Sequence, residues 1–199
     1  MRTTRNLCAI ALAAMLAACA TAPTKPSPTV SAAPAPAHSA LKVCAGMGVS
    51  NAPKTTSDGR IINYEATTTV SGAKLMRAPV RGCLSSGFGP RHGGAGRMHK
   101  GVDLFTRTPG KIFAGGAGVV ESVDTQRGYG RTILIRHNAR VKTRYAHLSA
   151  YARGLSRGDK VRRGALIGYT GESGNATAVH LHYEVLVDGR PRNPMTVGR

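Results

Sequence analysis

The sequence predicts an all-β protein, built as a compact antiparallel sheet or sandwich. Three observations carry that expectation. β-Branched residues come in short runs, glycines and other turn residues separate the runs, and no stretch longer than a few residues repeats its apolar positions at helical spacing.

The strands are expected only after an N-terminal region of a different kind. Arg2 and Arg5 make a short basic start, and residues 7–18 form an apolar stretch without a charge. That stretch is shorter than the ~20 residues a bilayer crossing needs, but it suits the apolar region of a secretory leader. It ends in Leu16-Ala17-Ala18-Cys19, which resembles a bacterial lipobox. The resemblance implies cleavage after residue 18, lipid on Cys19, and a protein anchored to a membrane and facing the periplasm. Ala20 after the cysteine points to the outer membrane. An ordinary leader cut near Ala20 or Ala22 is the plainer reading of the same residues.

From residue 19 to about residue 40 the chain is mostly Ala, Pro, Thr and Ser, with prolines at 23, 26, 28, 34 and 36. Such a composition cannot bury a core and reads as an extended tether. Residues 41–77 read as a small extension packed on the main domain. Residues 60–65 and 67–70 have strand-like composition, and Ser57-Asp58-Gly59 signals a turn. Residues 78–199 then form the main domain, about 120 residues and enough for one core.

Cysteine usage fits export. Cys8 leaves with the leader and Cys19 carries lipid, so Cys44 and Cys83 remain to pair in an oxidising compartment. Neither has the spacing of a metal knuckle or a redox pair. A bridge between them closes a loop worth about 4 kcal/mol in the chain-entropy model; two unpaired buried thiols are the alternative.

The charge is +19, from 28 basic and 9 acidic residues, and +17 without Arg2 and Arg5. A field of that size attracts polyanions. The chain has no tryptophan and no pattern of a nucleic-acid-binding module, so nucleic acid is not an expected partner. Lipid head groups and the carboxylates of cell-wall peptides are the anions of the expected compartment. A solvated basic face without a partner is the bland alternative.

Within the main domain, residues 119–123, 132–136, 142–147 and 181–187 are strand candidates, and Gly128-Tyr129-Gly130, Arg157-Gly158-Asp159 and Gly171-Glu172-Ser173-Gly174 are turn candidates. The last strand sorts its faces clearly. Leu181, Tyr183, Val185 and Val187 fall on one side, and His180, His182 and Glu184 on the other. The first side is core, which turns the two histidines towards a groove or solvent.

Those histidines bring in the chemistry. Two residues apart on one strand face, His180 and His182 reach one small site, since their Cα atoms lie about 6.5–7 Å apart. His99 and Asp103, in His99-Lys100-Gly101-Val102-Asp103, cannot do so on an ideal strand, where four residues span roughly 13 Å. Gly101 permits a bend that brings both inward. Imidazoles with one carboxylate suit zinc. Four ligands would make a closed, structural site, whereas three would leave a position for water, with the fourth side chain as a proton carrier.

The wider region then resembles a known family. From about Val80 to Pro194 the chain carries Ser86-Gly87-Phe88-Gly89-Pro90-Arg91, the His99 to Asp103 motif, and Thr143-Arg144-Tyr145-Ala146-His147-Leu148-Ser149. Val161-Arg162-Arg163-Gly164-Ala165-Leu166-Ile167-Gly168, Gly171-Glu172-Ser173-Gly174 and His180-Leu181-His182-Tyr183-Glu184 follow in that order. Together they resemble the lysostaphin-type zinc metalloendopeptidases of family M23, which cut peptide cross-bridges in bacterial cell walls. The resemblance implies an antiparallel fold with an open groove, His99, Asp103 and His182 as zinc ligands, and His147 and His180 as catalytic histidines beside a water. It also implies hydrolysis of peptidoglycan cross-links, D-Ala–diaminopimelate in a Gram-negative lipoprotein. His92-Gly93-Gly94 and the segment Arg107-Thr108-Pro109-Gly110-Lys111-Ile112 depart from the usual family pattern without touching a ligand. His38, His92 and His137 read as ordinary side chains, and Arg91 and Tyr145 as structural or substrate-orienting.

Two other functions compete. A non-catalytic relative would bind and activate cell-wall amidases as a partner in cell division, but such a protein is expected to lack one or more of the five site residues. A lipoyl- or biotinyl-like carrier would explain the turn at Gly158-Asp159-Lys160-Val161-Arg162-Arg163-Gly164, yet no attachment lysine follows and the histidines stay unexplained.

Overall fold

A computed structural model describes residues 39–91 and 98–199. The leader, all but the last two residues of the tether, Cys19, His38 and the His92 loop lie outside the described residues. Among the described residues every regular element is a strand, and no helix is long and apolar enough to cross a membrane.

Fourteen strands follow one another along the chain: β1 (Thr67–Val70), β2 (Ala73–Met76), β3 (Cys83–Ser86), β4 (Gly89–Pro90), β5 (Met98–His99), β6 (Val102–Phe105) and β7 (Lys111–Phe113) in the first half. The second half holds β8 (Gly118–Gln126), β9 (Gly130–Arg136), β10 (Val141–Tyr151), β11 (Lys160–Val161), β12 (Leu166–Thr170), β13 (His180–Val187) and β14 (Arg190–Arg192). Ten of them make one sheet in the order β11-β8-β9-β10-β13-β6-β3, with β14 added to β13. The long β10 also pairs with β12, which pairs with β7, so the sheet branches at β10. All strand pairs are antiparallel. The core runs through these strands, with Leu84, Leu104, Ile133, Ile135, Leu148, Ile167, Leu181 and Tyr183 fully buried.

The four main-domain runs expected to be strands lie in β8, β9, β10 and β13. Residues 60–65 do not form a strand. The turn at Ser57-Asp58-Gly59, tied by Thr56 and Asp58, sends the chain back so that Arg60 and Ile61 make only single bridges, to Lys42 and Thr55. Asn63 then takes a left-handed conformation (φ 56°) and stops any ladder from growing.

Residues 41–77 share the core of the rest. Leu41, Ile61, Val70 and Leu75 are buried in it, and a disulfide joins Cys44 to Cys83 at the start of β3. The fully buried Arg77 donates through Nη1 to the carbonyls of Pro194 and Val197, which ties the C-terminal turn to the β2 side.

Candidate metal centre and its flanking histidines

Three neighbouring strands set the site. The ladder between β6 and β13 places His182 directly opposite Asp103, and that between β10 and β13 places Ala146 opposite His182. His99 comes from β5, paired with Gly89 of β4. The chain breaks between β5 and β6 at Lys100-Gly101, which turns His99 back towards Asp103. Glycine is required here by contact. A Cβ on Gly101 would lie 2.3 Å from the carbonyl oxygen of Tyr183.

The resulting cluster is tight. His99 Nε2 lies 3.1 Å from Asp103 Oδ1 and 3.1 Å from His182 Nδ1, and His182 Nδ1 lies 2.9 Å from the same Oδ1. The outer contacts fix the tautomers. His99 Nδ1 is 2.6 Å from the carbonyl of Gly87, an acceptor, so that nitrogen carries the proton. His182 Nε2 donates to Glu184 Oε1 at 3.1 Å. In their neutral forms both rings therefore turn bare nitrogen lone pairs towards each other and towards a carboxylate oxygen. The other oxygen of Asp103 accepts from Arg91 Nη2 at 2.9 Å, leaving Oδ1 as the single inward atom.

Three mutually facing lone pairs call for a positive charge at their centre. The titration behaviour says the same. Burial disfavours the Asp103 carboxylate, but its contacts with His182 and His99 outweigh this and hold its pKa well below the usual carboxylate range. Burial likewise disfavours charge on His182, yet Asp103 and Glu184 raise its pKa. A proton or a metal cation meets that need. Tetrahedral zinc with ligands at ~2.0–2.2 Å separates them by roughly 3.3–3.6 Å, a few tenths of an ångström wider than the distances here. The residues fit Zn²⁺, and His99, Asp103 and His182 are the group among the described residues that closes on one point.

His147 and His180 stand beside this cluster, outside it. His180 Nε2 lies 3.7 Å from Asp103 Oδ1, while its Nδ1 donates to the carbonyl of Ala178 at 2.7 Å. His147 Nδ1 donates to the carbonyl of Ser173 at 2.8 Å. The two rings are 4.8 Å apart between centroids, and each is left with Nε2 as its free lone pair. Burial lowers the pKa of His147 to about 4, against the opposing effect of the Ser173 hydrogen bond.

His147 reaches the site through a bulge. Val141, Thr143 and Tyr145 are buried at odd positions of β10, but the alternation is lost after Tyr145, where Ala146, His147 and Leu148 are all buried. In the ladder to β9, Tyr145 faces Ile133 and Leu148 faces Arg131, so β10 has one residue more than its partner. The extra length is taken up where His147 adopts φ +64°. Without the bulge, strict alternation would send His147 into the core with Tyr145.

Behind the cluster lies a polar layer that residue patterns alone left unassigned. Glu184, placed by alternation on the open face of β13, is fully buried. Its Oε1 accepts from Tyr129 at 2.7 Å and from His182, and its Oε2 accepts from Arg144 at 2.7 Å. The Arg144 guanidinium also covers the Tyr129 ring at 4.8 Å. A signal existed: Glu184 continues the His180, His182 face, and the β10–β13 register sets Arg144 opposite it. Tyr129 sits in the turn after β8 and had no sequence pattern to mark it. Tyr145 belongs to the core, where its hydroxyl bonds with Gly115 N–H and Thr143. His137 is tied to Ala117 and Thr143, away from the site.

All five candidate side chains, with Arg91, Arg127, Tyr129 and Thr177 among others, line one cleft of ≈ 330 Å³. The peptidase family M23 profile matches residues 97–194. The DD-carboxypeptidase/endopeptidase Mpg of Neisseria meningitidis is 34% identical over 145 residues, covering 70% of this chain and 31% of that protein. The chain thus spans about a third of the length of that curated relative. A zinc-containing peptidase from Vibrio cholerae superposes with a TM-score of 0.57 at 33% identity, over 67% of this chain and 40% of that one. The catalytic domain of lysostaphin from Staphylococcus simulans superposes with a TM-score of 0.50 at 33% identity, over 55% of this chain and 86% of that domain. Sequence, fold and the His-Asp-His cluster agree, and the chain belongs to peptidase family M23.

Proposed function

We propose that the protein is a zinc-dependent endopeptidase that hydrolyses peptide cross-links of peptidoglycan, with the D-Ala–diaminopimelate bond as its target. The observation that carries this reading is the pairing of two differently built groups in one cleft. Three lone pairs from His99, Asp103 and His182 converge on a point, and two histidines with fixed tautomers flank it.

A zinc ion held by those three residues supplies a Lewis acid that polarises the scissile carbonyl and acidifies a water. The chain's own groups handle the protons. His147, neutral at physiological pH because burial depresses its pKa, accepts one at Nε2. Nε2 of His180, left open because Nδ1 is held by the Ala178 carbonyl, lines the same cleft and serves the delivery of a proton to the leaving amine. Glu184 holds the tautomer of His182 and is itself held by Arg144 and Tyr129. The reading of the leader extends the proposal to location: an exported lipoprotein, anchored through Cys19 and facing the periplasm from the outer membrane. The exposed stretch bearing Arg153, Arg157, Lys160, Arg162 and Arg163, none paired with an acid among the described residues, suits an anionic surface there.

An amidase-activating, non-catalytic role would not require the five side chains to stand in working order. Muropeptide analysis of sacculi incubated with the purified protein, with and without a chelator, decides between the two. Loss of cross-linked dimers, abolished by the chelator and restored by zinc, is the expected result. A folded, zinc-loaded protein that leaves cross-links intact but stimulates an amidase sinks the endopeptidase reading.

A further inference from the structure

Residues 41–51 lie outside the stretch matched by the family profile, 97–194, yet they reach the cleft. They run along β3. Leu84 N–H donates to Lys42 O, Cys44 N–H to Leu84 O and Gly87 N–H to Ser50 O, while the Cys44–Cys83 disulfide adds a covalent tie. Asn51 closes the run, donating from Nδ2 to the carbonyl of Pro90 at 2.8 Å. Its own carbonyl oxygen lies so near Gly87 that a Cβ there would sit 2.1 Å away. Whatever this segment presents is held in place before any ligand arrives.

It presents Met47, 43% exposed, and Ser50. Both line a second pocket, of ≈ 360 Å³, together with Ser86, Phe105 and Thr177. Arg91, Asp103, Thr177 and His180 line this pocket and the metal cleft alike, so the two adjoin.

We propose that this pocket is a substrate subsite for the peptide on one side of the scissile bond, and that Met47 and Ser50 set which residue it accepts. The inference rests on the peptidase reading above and names a specificity element in it. Met47 and Phe105 offer apolar contact to a short side chain. The hydroxyls of Ser50 and Thr177, neither hydrogen-bonded among the described residues, are available to a peptide N–H or C=O. Arg91 spends one nitrogen on Asp103 and, with its side chain 48% exposed, keeps further N–H groups for a carboxylate. The chemistry suits an apolar side chain next to a free carboxylate, with the first against Met47 and the second on Arg91.

The test uses the full protein and two readouts. In the first, ¹³C-methyl methionine spectra are followed while the uncross-linked tetrapeptide stem, a probe with no cross-link to cut, is added. The Met47 methyl should shift saturably while those of the buried Met76 and Met195 stay put. In the second, Met47→Glu should raise KM for a cross-linked muropeptide dimer about tenfold with kcat nearly unchanged, and Met47→Leu should restore it. An unmoved Met47 methyl at saturating probe, or a Met47→Glu enzyme with wild-type KM, overturns the subsite. Should the wild type cleave no dimer, the peptidase reading fails separately, and the methyl shift alone decides whether the pocket binds the peptide.

Discussion

The three side chains that converge and the two that flank them are held to different degrees. Each member of the triad is fixed from behind by a partner outside the cluster: Gly87 O on His99, Glu184 on His182 and Arg91 on Asp103. His182 and Asp103 also face each other in a strand ladder. The flanking histidines each have a single backbone carbonyl on Nδ1; one sits at a bulge and the other at the first residue of β13. A metal ligand must aim one lone pair along a fixed line. A proton carrier needs only a defined tautomer and a nitrogen left open, so a lighter restraint serves it.

Breaking the rigid half should have the largest effect. His182→Ala or Asp103→Ala is expected to lose zinc on dialysis and to lower kcat/KM by roughly 10³-fold or more, the scale of a Lewis acid's several kcal/mol. Metal analysis and kinetics on muropeptide dimers check it, and a variant that keeps both zinc and activity would remove that residue from the ligand set. His147→Ala should lower kcat by about 10²–10⁴-fold while zinc content stays at wild type. If it lost zinc as well, the division between holders and carriers would collapse.

Glu184→Gln probes the support rather than the ligand. It keeps the shape and removes the charge that orders His182, so zinc affinity should weaken by about 10–100-fold. Competition against a chromophoric chelator measures this, and unchanged affinity would show that the polar layer only fills space. The smallest effect concerns pH. Because burial puts the His147 pKa at about 4, the ring stays neutral as pH falls through the ordinary histidine range and takes up its proton only near the lower value. With zinc kept saturating, kcat/KM at pH 5.5 should stay within about threefold of its value at pH 7. A step near 6.5 that vanishes in His147→Ala would contradict this.

Much of the molecule was legible in the sequence, for reasons that differ by residue. β13 could be read because alternation is a local property and its apolar face is unbroken. His147 could not be placed by alternation, since the bulge that re-aims it breaks the parity on which such reading depends; only its surrounding motif marked it. Glu184 was visible as a position but not as a buried charge, because burial of that face depends on Arg144 and Tyr129 arriving from other strands. Residues 60–65 had the composition of a strand and lacked a partner of matching length. The course of residues 41–51 along β3 was marked in the sequence only by the Cys44–Cys83 pair, since strand pairing between distant segments leaves no local mark.

That course has a consequence for the free protein. β3 ends the strand order of the large sheet, and an uncovered terminal strand offers its backbone to any other chain. Here the parallel bridges Val43–Leu84 and Ser50–Ser86 cover it, and the disulfide keeps the cover on. The opposite end, β11, is two residues long and sits among Lys160, Arg162 and Arg163. One end of this strand order is shielded by chain and the other by brevity and charge, so neither offers a long bare edge to another chain.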